Sequence, residues 1–156
     1  MPDITIDTSI PGPQAVVTPR LITVLRGYEG RTDVTLTHAL HVGGATVAVP
    51  VTAATGGADA GTPSAIPLSM RATHHTAWFP SFRGHIRSEA VGPLDSILRL
   101  EGTYETPLGA LGDLVDATLL GHAAERTLRA FLERIRSDVI DEIRRSELSI
   151  RQREGR

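Results

Sequence analysis

The last third of the chain limits its fold more than any other stretch. From Leu120 to Ile143, the residues Ala124, Leu128, Phe131, Leu132, Ile135, Val139 and Ile143 recur at spacings of three, four and seven, while Glu125, Arg126, Arg129, Glu133, Arg134 and Arg136 take the other positions. That period belongs to an amphipathic helix with one apolar stripe. At ~1.5 Å per residue the helix is long enough to cross a whole sheet. The stripe has to be buried against another layer, so the residues upstream should supply a sheet.

They alternate as strands do. Val34, Leu36, His38, Leu40 and Val42 fall on one face, and Thr35, Thr37, Ala39 and His41 on the other. Gly43-Gly44 suits a tight hairpin turn, and Val47, Val49, Val51 and Ala53 alternate after it. The small, glycine-rich stretch from Thr55 to Ala65 reads as a loop between strands. Ile66, Leu68, Met70, Ala72 and His74 follow, then Phe82, Gly84, Ile86, Ser88 and Ala90; Gly92-Pro93-Leu94-Asp95 is a turn, and Leu98, Leu100, Gly102 and Tyr104 continue the period of two. Successive strands of this kind predict an α+β fold in which a curved antiparallel meander packs around a long C-terminal helix.

The two ends are less regular. Pro2, Pro11, Gly12, Pro13 and Pro19 favour an extended arm or edge strand over a helix, and Leu21 to Arg26 reads equally as a buried strand or a helical turn. Residues 1–145 are expected to form one domain with an atypical N-terminal region over 1–33, and the arginine-rich tail 146–156 is expected to fray into solvent.

A net charge of -2 removes any global attraction to nucleic acid or an anionic membrane. The absence of cysteine removes disulfides, thiolate nucleophiles and cysteine zinc sites. The N-terminus lacks a signal-peptide pattern, and no apolar run approaches the ~20 residues of a membrane span, so a cytoplasmic location is expected.

The run Leu100-x-Gly102-x-Tyr104-x-x-Pro107-Leu108-Gly109-Ala110-Leu111-Gly112, followed by a long helix, resembles the SRPBCC superfamily of START-like, polyketide-cyclase-like proteins. The likeness covers about residues 66 to 145. It includes Trp78-Phe79-Pro80-Ser81-Phe82-x-Gly84, similar to a bend between strands, and Ala123-Ala124-Glu125-x-Thr127-Leu128-x-x-Phe131-Leu132 on the helix. The resemblance implies a helix-grip fold whose sheet wraps the last helix and leaves a cavity for an apolar ligand. That family places two short helices after its first strand. Residues 1–33 leave little room for them, so the cavity is expected to be open at one end, smaller, or closed by a partner subunit.

Candidate ligand-binding residues follow from these faces: His38, Met70, His74, Trp78, Phe82, Tyr104, Leu128 and Phe131. Tyr104 should point toward the helix, where a phenol at one end of an apolar cavity would hydrogen-bond a ligand; the plainer reading is a core tyrosine bonded to backbone or water. His38 and His74 lie on apolar faces with proton-transfer chemistry available to them, although buried histidines are more commonly just hydrogen-bonded. Trp78, Phe79 and Phe82 would cap a pocket mouth or anchor a corner of the sheet. Adjacent His74-His75 and three-apart His38 and His41 point to opposite faces of a strand, so no metal site is expected. No cofactor is implied, since no phosphate loop, dinucleotide fingerprint or hydrolase motif is present. Arg71, Arg83, Arg87 and Arg99 share the outer face with Glu89 and Glu101 and read as cross-strand ion pairs.

Three functions remain open at this point. One is binding of a small apolar or amphipathic molecule between sheet and helix. Another is a polyketide aromatase/cyclase-like enzyme using His38, His74 or Tyr104 in the same cavity, with no catalytic residue assigned. The last is a structural or assembly protein, for which a homodimer is one arrangement the sequence allows.

Overall fold

The computed structural model describes residues 3–28, 40–42, 45–47, 51–55, 65–72, 81–105 and 117–155. In chain order the elements are β1 (Asp3–Pro11), α1 (Gln14–Tyr28), β2 (Leu40–Val42), β3 (Ala45–Val47), β4 (Val51–Thr55), β5 (Ile66–Ala72), β6 (Ser81–Ala90), β7 (Asp95–Glu105) and α2 (Ala117–Glu154). Five strands form one antiparallel sheet in the order β1-β7-β6-β5-β4, and β2 pairs with β3 in a sheet of its own. The α+β architecture read from the sequence is therefore the one observed. The meander runs from β4 to β7, and the N-terminal strand closes it beside β7.

The expected hairpin around Gly43-Gly44 is present as the β2–β3 pair, with Val42 opposite Ala45. It does not join the large sheet as a uniform meander would require, and the alternation from Val47 to Ala53 is divided between β3 and β4.

Alternation within each strand sends its apolar residues to one face. Ile6 and Ile10 of β1, Ile66, Leu68 and Met70 of β5, Phe82 and Ile86 of β6, and Leu98 and Leu100 of β7 are buried there. Against them lies the stripe of α2, in which Leu128, Phe131, Leu132, Ile135 and Val139 are buried as the period predicts. Two bonds fix how α2 lies: Thr8 Oγ1 donates to Glu133 Oε1 at 2.6 Å, and Arg136 Nε donates to Ser9 O at 2.6 Å. Rising numbers on α2 thus meet rising numbers on β1, so the helix runs in the direction of that strand. Arg136 also occupies a carbonyl on the free edge of the sheet, which protects that edge from pairing with another strand.

The N-terminus corrects the sequence reading. Residues 3–11 are the edge strand expected, but Gln14–Tyr28 is a helix that contains Pro19. Val16 N–H and Val17 N–H donate to Pro13 O and start it. Proline in a helix costs about 3 kcal/mol relative to alanine. Here Val17, Leu21 and Leu25, spaced by four, are each at most 1% exposed, and burying each contributes roughly 1.5–3 kcal/mol. Pro19 itself is exposed, so its ring and missing N–H face solvent. Gly12, with φ of 131°, makes the corner between β1 and α1, a conformation L side chains rarely adopt.

The C-terminus is a second correction, since α2 continues to Glu154 instead of fraying after residue 145. Ser146 Oγ and Ser149 Oγ donate to the carbonyls of Glu142 and Arg145 one turn back, and Arg145 pairs with Glu142 at 3.2 Å. Leu, Ile, Glu, Gln and Arg in this stretch are adequate helix formers, so the helix extends an existing one without a new nucleus.

Candidate functional site

Strand register sorts the inner face of the sheet into rows. Met70 lies opposite Phe82 and Phe82 opposite Tyr104, so these three form one row across β5, β6 and β7. The next row is Leu68, Gly84, Gly102 and Ile4, followed by Ile66, Ile86, Leu100 and Ile6. Ser88, Leu98 and Thr8 come next, and Ala90, Ser96 and Ile10 complete the face.

The paired glycines are the unusual row. A Cβ on Gly84 would strike Glu101 O, one on Gly102 would strike Arg83 O, and both would lie 2.7 Å from Phe82 Cζ. Only glycine permits this close approach of β6 and β7, and the Phe82 ring leans over the strip that has no side chains. Aromatic cover of facing glycines is a device of strongly bent sheets. The two glycines were visible in the sequence as inward positions on neighbouring strands, but their register, and therefore their meeting, was not.

Met70 and Phe82 are 4% and 5% exposed and Tyr104 is 9% exposed, so the row is enclosed while Tyr104 retains some access. Leu128 lies five residues before Glu133 on a helix running parallel to β1, which places it toward the Tyr104 end of the sheet. Phe131 is completely buried beside Leu132 and Ile135, and Met70, Phe82, Leu128 and Phe131 belong to one continuous apolar cluster. Five of the eight sequence candidates are therefore buried in the interior between sheet and α2. His38, His74 and Trp78 lie outside the described residues.

At the opposite end of the inner face, polar groups bond one another. Thr18 Oγ1 and Ser88 Oγ are 2.6 Å apart, Gln14 Nε2 donates to Ser88 O at 2.9 Å, and Ser96 Oγ donates to Gly12 O at 2.8 Å. These bonds pin α1 to β6 and hold the corner at Gly12. The alternation points Ser88 inward, but its partners Gln14 and Thr18 lie in the stretch that the prolines mark as extended.

The outer face carries a ladder of charge. Arg99 donates from Nε to Asp7 Oδ1 at 2.7 Å and from Nη1 toward Glu89; Arg87 pairs with both Glu89 and Glu101, and His85 Nε2 lies 3.1 Å from Glu101 Oε2. The hydrogen bond from Arg99 holds the Asp7 carboxyl below its ordinary range, and the positive charges of Arg99 and Arg87 add to that. Asp7 in turn raises the Arg99 guanidinium. Arg87 and Arg99 thus make the cross-strand pairing expected of them, widened by Asp7 and His85. No cluster of metal-ligating side chains occurs among the described residues, and no described helix is long and apolar enough to cross a membrane.

No protein-family model matches the chain, and no curated protein sequence matches it closely. Solved structures do. A conserved protein from Geobacillus kaustophilus superposes with a TM-score of 0.56 at 14% identity, over 90% of this chain and 96% of its own. A protein from Thermus thermophilus does so with a TM-score of 0.50 at 16% identity, over 90% and 99%. The likeness is one of fold: the chain has a helix-grip architecture, a curved antiparallel sheet packed around a long C-terminal helix. An aromatase/cyclase from a Streptomyces species aligns more loosely, with a TM-score of 0.43 at 18% identity over 92% and 94%, too distant to bear on chemistry. Within the helix-grip frame, α2 is the gripped helix and the Met70–Phe82–Tyr104 row lines the sheet toward its N-terminal half.

Proposed function

We propose that the protein binds a small apolar or amphipathic molecule between the inner face of the sheet and α2, at the end marked by Met70, Phe82 and Tyr104. The observation that carries this reading is the row itself. It sets the Tyr104 phenol in register with Met70 and Phe82, two members of the apolar cluster that also includes Leu128 and Phe131. Mostly apolar walls with one placed polar group are the usual composition of a small-molecule site. Apolar surface would supply affinity, and the phenol would select the polar end of the ligand by donating to, or accepting from, it.

Titration with anilinonaphthalenesulfonate, an apolar dye with an anionic end, tests the proposal. Saturable enhancement of fluorescence at one dye per folded chain, weakened by roughly fivefold in Tyr104→Phe through loss of about 1 kcal/mol of hydrogen bonding, is the expected result. Absence of saturable binding by the folded protein contradicts it. His38, His74 and Trp78 complete the proposed lining, and alanine at each is expected to weaken the same titration.

A further inference from the structure

The two halves of α1 are held by different parts of the molecule. The first turns are pinned to β6: Gln14 Nε2 donates to Ser88 O at 2.9 Å, and the hydroxyls of Thr18 and Ser88 lie 2.6 Å apart. Strand β4 is two strands away from β6, and its nearer end, Thr55, stands in register with Leu68 and Gly84, four residues along from Ser88. At about 4.8 Å between strands and 3.4 Å per residue, the contacts that α1 makes with β4 belong to its second half. That half also meets α2, where Arg20 Nη1 lies 3.9 Å from Glu142 Oε1. Met70 stands on β5 opposite Ala53 of β4, on the side of the interior that this half of α1 covers.

Pro19 divides the two halves. It has no N–H to donate to the carbonyl of Ala15 four residues back, and its ring crowds that carbonyl. One turn later Thr23 Oγ1 donates to Pro19 O at 3.0 Å and shares it with the helical ladder, a form of back-bonding that bends helices. The ladder is therefore weakened on both sides of one exposed residue, and such a proline is where a helix kinks. Val17, Leu21 and Leu25 are buried beneath it. Val17 is anchored with the first half, whereas Leu21 and Leu25 would leave the core together if the second half turned outward.

We propose that the second half of α1, residues 20–28, is the lid of the ligand site, opening about Pro19 while residues 14–18 stay on β6. The inference rests on the binding proposed above and adds its control: the row of Met70, Phe82 and Tyr104 sets what is held, and the lid sets how fast it enters and leaves. Closing returns Leu21 and Leu25 to the apolar cluster, so the closed state is the resting one. Restraining such a lid slows entry and exit alike and leaves affinity nearly unchanged.

The chain has no cysteine, so Arg20→Cys with Glu142→Cys supplies a unique thiol pair that a short bismaleimide can bridge, with far-UV circular dichroism to verify folding. In stopped flow with anilinonaphthalenesulfonate, bridging is expected to slow dye association and dissociation each by roughly tenfold or more, while the dissociation constant moves by less than about twofold. The same variant capped with N-ethylmaleimide is the control. Pro19→Ala restores the missing helical bond at an exposed position and is expected to slow both rates in the same sense. Hydrogen exchange supplies a readout without ligand: amides of residues 21–25 should exchange faster than those of Val17 and Thr18, and Pro19→Ala should narrow the difference. A bridged protein that exchanges dye as fast as the capped one overturns the lid and leaves the site standing, as does hydrogen exchange in which both halves of α1 open together. Folded protein that takes up no dye overturns the site and the lid with it.

Discussion

At the end of the inner sheet face near α1, Ser88 and Ser96 are enclosed and bonded to Thr18, Gln14 and the Gly12 carbonyl. At the other end, the row of Met70, Phe82 and Tyr104 meets a strip of bare backbone at Gly84 and Gly102, covered by one aromatic ring. Both ends are buried, yet the polar atoms of the first are committed to holding the fold, whereas the second is mostly apolar with a single phenol. The difference separates polar groups that serve architecture from the phenol that the proposed binding site would use, and burial alone would not have distinguished them.

Substitutions can break or sharpen this contrast. The largest effect is expected where both ends share the helix: Phe131→Ala, at a side chain with no exposure, should cost about 3–5 kcal/mol of stability in denaturant unfolding and abolish dye binding with it. Gly102→Ala comes next. Its Cβ meets Arg83 O and the Phe82 ring, and overpacking of this kind costs roughly 1–3 kcal/mol; pairing it with Phe82→Leu should recover only part, because the backbone clash remains. Ser88→Ala leaves Thr18 without its partner and should cost about 1–2 kcal/mol while dye affinity stays unchanged. Tyr104→Phe should do the reverse, weakening the dye with a stability change under about 1 kcal/mol. If Ser88→Ala altered binding and Tyr104→Phe altered only stability, the two ends would have been assigned the wrong way round.

The outer face gives the smallest effect, visible mainly through pH. Asp7 has its folded-state pKa depressed by Arg99, so its contribution is present above the unfolded value of about 3.9 and is lost as pH falls through the lower folded value. Asp7→Asn should therefore melt slightly below the wild type at neutral pH and converge with it in strong acid. A gap that persisted at low pH would mean that the substitution acts through something other than charge.

Much of this was legible beforehand because period is a local property. The stripe from Leu128 to Val139 and the alternation from Phe82 to Tyr104 named both layers of the fold and their buried faces. What escaped depended on register or on competition between local signals. Pro19 argued against a helix, and only the burial of Val17, Leu21 and Leu25 against β6 and α2 shows why the helix wins. The arginines and the fading apolar pattern argue for a frayed tail, whereas residues of good helix propensity that extend an existing helix carry α2 through it. The meeting of Gly84 with Gly102, and of Ser88 with Thr18, is set by pairings between distant segments that no single segment reveals. Of the candidate site, Met70, Phe82, Tyr104, Leu128 and Phe131 were legible as inward positions; the identity of any ligand was not, since an apolar wall carries little chemical identity.

Ligand binding at the Tyr104 end is the central claim, and native mass spectrometry of the purified protein, followed by denaturation and extraction, tests it most directly. The account predicts a small apolar or amphipathic molecule leaving with the wild-type chain at near-stoichiometric occupancy, and markedly less of it with Tyr104→Phe. A wild-type protein that is folded, empty, and remains empty after incubation with a lipid extract would contradict it.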